Sequence, residues 1–190
     1  MENLRGIKGR VILAANHASE WDPILIRAAF PFFTRFAPFY FVSGPKENFK
    51  SFGWKYSIYG GLLFEMLGAY AIQPGKNDYA HSLSNHIVIL NHGRTLVIFP
   101  QGKRVAPDEV YKVRGGVAYL AHTTKSPVIP FAIRDTWKIT LKDFLFFRRH
   151  VSVIIGKPIP HDVVVPQSTP SVDDYKEGGE RVMREIERVL

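Results

Sequence analysis

Six short apolar runs constrain the fold of this chain more than any other feature of its sequence. Each run is rich in β-branched or aromatic residues and is bounded by Gly, Pro or Asn, which is typical of buried β-strands. Helical patterns separate several of the runs, and this alternation predicts an α/β sandwich in which a mostly buried mixed sheet is flanked by helices. The runs are RVILAAN (10–16), PFYFVS (38–43), AYAI (69–72), TLVIFP (95–100), SPVIPFAI (126–133) and VSVIIG (151–156).

Three helices are predicted from the spacing of apolar residues and from capping patterns. The first follows the turn at 74–78, and the second is expected over 111–124 although it contains a glycine pair. The last begins at a capping box formed by Ser171 and Asp174. The apolar positions that share one helical face are Tyr79, Leu83, Ile87 and Leu90 in the first helix, and Val182, Ile186 and Val189 in the last.

The length of 190 residues suffices for one domain with a sizeable core and is too short for two ordinary domains. We expect a single domain over 1–190, with its core at 10–160, a connection at 158–170 and a C-terminal helix at 171–190. The chain has no cysteine, which excludes a disulfide scaffold, a thiolate zinc site, an iron–sulfur cluster and a cysteine nucleophile. Any catalytic role therefore falls to His, Asp, Glu, Ser, Lys or Tyr.

The charge of the chain indicates an anionic partner. Lysine and arginine number 25 and aspartate and glutamate 17, which gives a formal net charge of +8. The excess lies in residues 1–160, with 21 basic and 10 acidic side chains, whereas residues 161–190 carry 4 basic and 7 acidic ones. A basic body attracts nucleic acid, anionic lipid headgroups, phosphorylated small molecules or acidic carrier proteins, and charge alone does not choose among them.

The Phe-rich run at 28–42 raises the question of a membrane span. The stretch around it is long enough, but it contains Arg27, Arg35 and two prolines. Each Arg near the centre of a spanning helix would cost about 2.5–3.5 kcal/mol, and proline disrupts the backbone hydrogen bonds that a lipid core demands. A second apolar stretch at 56–72 is interrupted by Glu65 and three glycines. We therefore expect no span, but peripheral contact in which arginine and aromatic side chains mix at the headgroup level.

His17 directly follows the first predicted strand, in the segment NHASEWDP, and Asp22 comes five residues later. A His at the end of a buried strand, with a carboxylate able to fold back onto it, is the pair of base and orienting group that general-base catalysis requires. The carboxylate would fix the imidazole tautomer and stabilise the imidazolium as it forms. In the alternative interpretation, His17 only caps a turn and Asp22 only caps the helix that starts at Pro23.

Two further segments concentrate cations beside tight turns. In FPQGKR, a Pro-x-Gly turn presents Lys103 and Arg104 next to exposed backbone N–H groups, which suits a phosphate. In KVRGGVAYLA, Lys112 and Arg114 precede a glycine pair near an expected helix N-terminus, another arrangement that favours anions. In the alternative interpretation, each segment is only a solvated basic turn.

In this order and at these spacings, the segments resemble the blocks of the glycerolipid acyltransferase family, whose best-known members are 1-acyl-glycerol-3-phosphate acyltransferases. The resemblance covers about residues 10–160. His17 and Asp22, with the preceding Asn16, fit the family's His-x4-Asp block. The other blocks are matched by LGAYAIQP (67–74) for the second, FPQGKR (99–104) for the third, and SPVIPFAI (126–133), with Pro130 at its centre, for the fourth.

The resemblance implies the α/β fold of the glycerol-3-phosphate acyltransferases and direct acyl transfer without a metal or cofactor. His17 would deprotonate the hydroxyl of a lysophospholipid, chiefly 1-acylglycerol-3-phosphate, which then attacks the thioester of an acyl-CoA or acyl carrier protein, while Asp22 steadies the imidazolium. The product would be phosphatidate, made in phospholipid biosynthesis by an enzyme held peripherally on the cytoplasmic face of an anionic membrane, with no nucleic-acid partner. The residues expected to bind the acceptor and its phosphate are Gln101, Gly102, Lys103, Arg104, Lys76 and Lys112.

Two blocks depart from the family pattern at positions that handle the acceptor. In the third block, Gln101 stands in place of Glu, Lys103 in place of Thr and Val105 in place of Ser. In the second block, Pro74 stands in place of Arg. Two alternatives therefore stay open: the same chemistry on another acceptor, such as lyso-ornithine lipid or another lysolipid, and a non-catalytic lipid-binding protein at the membrane surface.

Acyl chains would need an apolar wall near the catalytic pair. Residues 28–42 and 49–67 are expected to form this wall and to touch the membrane. The alternative is plain core packing, since aromatic side chains are often simply buried.

Overall fold

The computed structural model describes residues 2–7, 9–44, 68–73, 78–140, 142–143, 146 and 148–190. Within these residues, all six predicted strands are present. The strands are β1 (Val11–Ala15), β2 (Phe39–Ser43), β3 (Ala69–Ala71), β4 (Thr95–Ile98), β5 (Val128–Arg134) and β6 (Ser152–Ile155). Short β-branched and aromatic runs between turn-forming residues therefore located every one of these strands.

The strands form one sheet, which in the described part of the chain has the order β3-β2-β4-β1-β5-β6. Neighbouring strands are parallel except β5 and β6, which are antiparallel, so the expected mixed sheet is confirmed. All five residues of β1 are buried, as expected of an interior strand covered on both faces. Because β1, β4 and β5 are parallel, their carboxyl ends meet at one edge of the sheet, and the residues that follow them come together there.

Helices cover both faces of the sheet, and the last one begins where the sequence predicts. Ser171 Oγ accepts the N–H of Asp174 at 3.2 Å, and the Asp174 carboxylate accepts the N–H of Ser171 at 2.7 Å, which confirms the capping box. The described helices are α1 (Asp22–Ala28), α2 (Tyr79–Ser82), α3 (Ser84–Asn91), α4 (Gly116–Thr124), α5 (His161–Val164) and α6 (Val172–Val189), and a 3-10 turn covers Glu2–Leu4.

The other two predicted helices differ from the observed ones. The first is divided into α2 and α3 at Leu83, whose backbone (φ −112°, ψ 14°) departs from helical geometry. The second begins only at Gly116, because the N–H of Arg114 donates to the backbone oxygen of Pro100 at 2.8 Å and so holds this segment against the loop after β4. The later start of α4 comes from a tertiary contact that helical spacing does not report.

The connection at 158–170 is part of the core. Ile159 pairs with Val128 of β5 through two backbone hydrogen bonds of 2.7 and 2.9 Å. Val164 and Val165 are buried in the apolar layer that also contains residues of β1, β4 and α6. The C-terminal helix and its connection therefore share their core with the sheet.

Apolar side chains form a layer on each face of the sheet. One layer includes residues of α3, α4 and α6, and the other lies under α1 and the N-terminal segment. The first is packed closely: a Cβ added at Gly178 of α6 would lie 2.7 Å from Cβ of Ala118 and 2.9 Å from the backbone oxygen of Val164. A glycine is therefore needed for α6 to approach α4 this closely.

The Phe-rich run at 28–42 divides between core and surface. Phe32 and Phe33 are 79% and 92% exposed, and Arg27 donates to the backbone oxygen of Phe32 at 3.0 Å. Among the described residues, no helix is long and apolar enough to cross a membrane. Residues 49–67, the other expected apolar segment, lie outside the described part of the chain. The buried phenylalanines of the run are Phe30, Phe36 and Phe39.

Candidate active site

Asn16, the residue directly after β1, continues the pairing with β5 through its side-chain amide. Asn16 Oδ1 accepts the N–H of Ile133 in β5 at 2.7 Å, and Asn16 Nδ2 donates to the backbone oxygen of Ile133 at 2.9 Å. The amide thus pairs with both backbone groups of Ile133, as a neighbouring strand would. These bonds fix the direction in which His17 leaves the carboxyl edge of the sheet.

The turn after β1 closes on one carboxylate oxygen. Asp22 Oδ2 lies 2.8 Å from Nδ1 of His17 and accepts the backbone N–H groups of Ala18 at 2.7 Å and Ser19 at 2.8 Å. Asp22 is the first residue of α1 and is fully buried, and these three N–H donors compensate for its burial. The carboxylate therefore holds the turn and orients the imidazole at the same time.

The imidazole of His17 is held with one nitrogen free. An ionised carboxylate can only accept, so Nδ1 carries the proton and Nε2 has the lone pair. No residue in the described part of the chain hydrogen-bonds Nε2, and the ring stacks on Phe99 with centroids 4.2 Å apart. The side chain is 19% exposed, which leaves it accessible to a substrate hydroxyl. This is the arrangement that a general base needs.

The loop after β4 holds the backbone of His17 on both sides. Gln101 Oε1 accepts the N–H of His17 at 2.6 Å, and the N–H of Val105 donates to the backbone oxygen of His17 at 2.8 Å. Between them, Gly102 has a φ of 68°, a left-handed conformation that favours glycine. Gln101 itself is buried. The structure therefore brings together residues 17, 22 and 101 of the predicted site.

Sequence comparison agrees with this geometry, since the model of the family named Acyltransferase matches residues 1–134. The chain belongs to the Acyltransferase family. A curated relative, the probable 1-acyl-sn-glycerol-3-phosphate acyltransferase of Mycoplasma pneumoniae, is 24% identical over 130 residues, which are 66% of this chain and 45% of the relative. The chain thus spans about half the length of the curated relative that it matches.

A solved structure shows the fold of this acyltransferase-family chain. It is the crystal structure of the 1-acyl-sn-glycerophosphate (LPA) acyltransferase PlsC from Thermotoga maritima, with 22% sequence identity and a TM-score of 0.62. The match covers 98% of this chain and 68% of that chain. The fold expected from the family resemblance is therefore confirmed.

Both cations of the third acyltransferase block have carboxylate partners. Lys103 Nζ lies 2.5 Å from Oε1 of Glu109, and Oε2 of Glu109 accepts the N–H of Ala106 at 3.0 Å. The hydrogen bond from Lys103 is the main cause that lowers the pKa of Glu109 below its usual value. Arg104 Nη1 lies 2.5 Å from Oε1 of Glu20, a residue of the His17 turn. The predicted phosphate-binding loop therefore lies at the carboxyl edge of the sheet, and each of its two cations already contacts a carboxylate.

For the remaining predicted acceptor residues, the described part of the chain shows no contact with the site. Lys112 is exposed, and none of the described residues forms an ion pair with it. Lys76 lies outside the described residues, as does Pro74 of the second block. The part of the acceptor site that depends on the second block therefore stays a prediction.

Tyr111 connects the site to the C-terminal helix, although apolar spacing predicts it only as a helical residue. Its hydroxyl donates to Glu187 of α6 and also interacts with the side chain of Gln101. Burial is the main cause that raises the pKa of Tyr111, with Glu187 adding to it, so the hydroxyl keeps its proton. Because Gln101 accepts the N–H of His17, Tyr111 links α6 to the turn that carries His17. Both partners are distant in sequence, and no local pattern signals the link.

Proposed function

We propose that this chain is an O-acyltransferase that moves a fatty acyl group from acyl-CoA or acyl carrier protein to a lysophospholipid hydroxyl, chiefly that of 1-acylglycerol-3-phosphate. The observation that carries the proposal is the 2.8 Å contact between Nδ1 of His17 and the buried carboxylate of Asp22, which leaves Nε2 free at the carboxyl edge of the sheet. The Mycoplasma relative and the Thermotoga protein, which are named as acyltransferases of this kind, support the same activity.

The proposed reaction is a direct transfer. Nε2 of His17 removes the proton from the acceptor hydroxyl as its oxygen attacks the carbonyl carbon of the thioester, and a C–O bond forms. The C–S bond then breaks, and the leaving thiolate takes the proton from the imidazolium, which regenerates the base. Asp22 stabilises the imidazolium between these two events. The proposed steps use no metal ion and no cofactor.

The acceptor headgroup is proposed to bind at the loop after β4, beside His17. The basic excess over residues 1–160 supports an anionic headgroup. Glutamine at position 101 does not dismantle this loop, because its carbonyl oxygen accepts the N–H of His17 as a carboxylate oxygen would. The residues proposed to bind the acceptor are Gln101, Gly102, Lys103, Arg104, Lys76 and Lys112.

A different acceptor is the second candidate, and the ion pairs of the loop favour it. Glu109 and Glu20 partly neutralise Lys103 and Arg104, so the loop carries less net positive charge than its sequence suggests. A lysolipid with an amine in its headgroup, such as lyso-ornithine lipid, requires less positive charge around it than a phosphate monoester does.

The test is acyl transfer by the purified protein from labelled acyl-CoA or acyl carrier protein to a panel of acceptors. The panel contains lysophosphatidate, monoacylglycerol, lyso-ornithine lipid and other lysophospholipids, and the His17→Ala variant is the control. Labelled phosphatidate formed by the wild type and not by the variant supports the proposal. A preference for an amine-containing lysolipid supports the second candidate. No turnover of either thioester with any acceptor would indicate a lipid-binding protein without catalysis.

We also propose that the protein contacts an anionic membrane peripherally, on its cytoplasmic face. The exposed pair Phe32 and Phe33 supports this, because two neighbouring exposed aromatic side chains suit insertion just below the headgroups. The guanidinium of Arg27 lies over the Phe32 ring, 5.9 Å from its centroid, where it can meet lipid phosphates. Donor and acceptor chains would reach the site from this surface.

A further inference from the structure

The proposed acceptor loop contains two cations, and each of them already has a carboxylate partner. Glu109 binds both Lys103 and the N–H of Ala106, so this pair is held within its own loop. Arg104 contacts Glu20, which comes from the His17 turn. An anion that binds either cation shares it with this carboxylate, so the positive charge that the anion meets is partly neutralised.

A third cation, Arg114, is anchored to the same loop. Its N–H donates to the backbone oxygen of Pro100 at 2.8 Å, one residue before Gln101. Its side chain passes over Gly102: a Cβ built there would lie 3.2 Å from Cγ and 3.6 Å from Nε of Arg114. Glycine at position 102 therefore serves the left-handed turn and also leaves room for the stem of this arginine.

The guanidinium of Arg114 is free to bind an anion. Its side chain is exposed, and no residue in the described ranges accepts a hydrogen bond from it or forms an ion pair with it. Lys103 and Arg104, the two cations of the loop, lack this freedom. A free guanidinium presents a planar fork of donors that matches two phosphate oxygens at once.

We propose that Arg114 makes the main contact with the phosphate of the acceptor, whereas Arg104, which also holds Glu20 of the His17 turn, contributes less. The inference rests on the proposed function, because it names the phosphate contact of that same site. It assigns specificity for a phosphorylated acceptor to a residue outside the third block.

The test is equilibrium binding of short-chain lysophosphatidate, measured by calorimetry, with the corresponding short-chain monoacylglycerol as the phosphate-free ligand. Arg114→Met keeps an apolar stem over Gly102 and removes the charge. We expect this variant to raise the Kd for lysophosphatidate about 10-fold to 100-fold, the range for one charge-assisted contact. The Kd for monoacylglycerol should change by less than about 2-fold, which corresponds to under half a kcal/mol, because this ligand has no phosphate for Arg114 to bind.

Two further variants decide whether the effect belongs to Arg114. Arg104→Met should raise the Kd for lysophosphatidate less than Arg114→Met does. Arg94→Met is the charge-matched control, because Arg94 is exposed just before β4, at the opposite edge of the sheet. Three outcomes would overturn the inference. They are a larger effect of Arg104→Met than of Arg114→Met on the Kd for lysophosphatidate, equal weakening of both ligands in Arg114→Met, and no binding of lysophosphatidate by the wild type.

The outcome of this test is separable from that of the proposed function. Wild-type protein that binds lysophosphatidate through Arg114 but transfers no acyl group would support the phosphate contact and refute catalysis. Wild-type protein that makes phosphatidate, with unchanged lysophosphatidate binding in Arg114→Met, would refute the phosphate contact alone.

Discussion

The buried carboxylate of Asp22 is held in place by hydrogen bonds before any substrate binds. Three N–H groups converge on Oδ2, whereas Oδ1 is buried and has no hydrogen-bond partner among the described residues. Two of the three donors are the backbone groups of Ala18 and Ser19, which cannot rotate away. The carboxylate is therefore oriented toward His17 before any substrate binds, so the proposed mechanism requires no reorganisation of Asp22 when the imidazolium forms.

Asp22→Asn should lower kcat about 10²-fold to 10⁴-fold. A neutral amide does not stabilise the imidazolium, and its NH₂ group would lie either against N–H donors or in a buried position without a partner. The measurement is steady-state acyl transfer at saturating donor, with circular dichroism and the thermal midpoint recorded to confirm folding. His17→Ala should show a loss of similar size. Near-normal turnover in either folded variant would rule out the assigned general base.

Gln101→Met should also reduce transfer, through the backbone of His17. The half-buried N–H of His17 would lose its acceptor, which costs about 1 kcal/mol and loosens the turn that carries the proposed base. Gln101→Glu is the matched control, since a carboxylate oxygen can accept the same N–H and should retain most of the activity. Comparison of kcat for the two variants tests this role, and equal activity in both would contradict it.

At the scale of elements, the contact between α4 and α6 should tolerate no added methyl group. Gly178→Ala is expected to destabilise the protein by about 1–3 kcal/mol, because the new Cβ would lie 2.7 Å from Cβ of Ala118. Helix propensity alone predicts the opposite, since alanine stabilises a helix interior by about 1 kcal/mol relative to glycine. Urea unfolding of the variant decides between the two effects.

A second substitution separates crowding from other causes. Ala118→Gly added to Gly178→Ala removes the nearest obstacle and should recover part of the lost stability. Recovery should be incomplete, because the backbone oxygen of Val164 would still lie 2.9 Å from the new methyl group. Ala118→Gly alone is the matched control, because glycine has its own cost in α4. If the loss of stability in the double variant equals the sum of the two single losses, crowding by Ala118 is not the cause.

The strands and helices that could be predicted from the sequence are those whose sequence pattern lies in neighbouring residues. Strand runs and the capping box of α6 depend on neighbouring residues, and both are confirmed. The delayed start of α4 depends on a contact with the loop after β4, the bond between Arg114 and Pro100. The sequence predicts only a connection at 158–170, where the structure has the short helix α5 just after Ile159, which pairs with Val128 of β5.

At the scale of the whole molecule, binding to anionic vesicles should depend on both charge and the exposed Phe pair. The wild type should sediment with anionic vesicles at low salt and be partly released at high salt, because each basic residue near the surface adds only about 1 kcal/mol and is screened. Replacing both Phe32 and Phe33 with Ser should weaken binding further, since about 1.5–3 kcal/mol per buried aromatic side chain is lost.

Val88→Ser is the control for this experiment, because Val88 is an exposed apolar residue on α3. It should bind vesicles as the wild type does. Indifference of the wild type to lipid charge and salt would contradict peripheral binding. Retention in the membrane after carbonate extraction would contradict the expectation that the chain has no span.

The site could be predicted in part, for the same reason as the fold. His17 and Asp22 lie on one short segment, so their contact is encoded locally, and the structure confirms that they meet. The ion pair between Arg104 and Glu20 and the hydrogen bond from Tyr111 to Glu187 of α6 join residues from separate segments, and no spacing rule signals them. Charge counting could identify a basic loop but not which of its cations are already paired.

The turn from Asn16 to Asp22 is a self-contained unit, and this has a consequence for how such a protein can change. Apart from the anchor of Asn16, its internal bonds lie within seven consecutive residues, and the loop after β4 grips it mainly through the backbone of His17. Substitutions at positions 103 and 114, whose side chains make no bond to this turn in the described residues, can therefore alter what is bound without redirecting the proposed base. The proposed contacts with the acceptor and the proposed general base lie on different segments of the chain. Acceptor specificity can therefore be changed, by engineering or by evolution, while the base is kept.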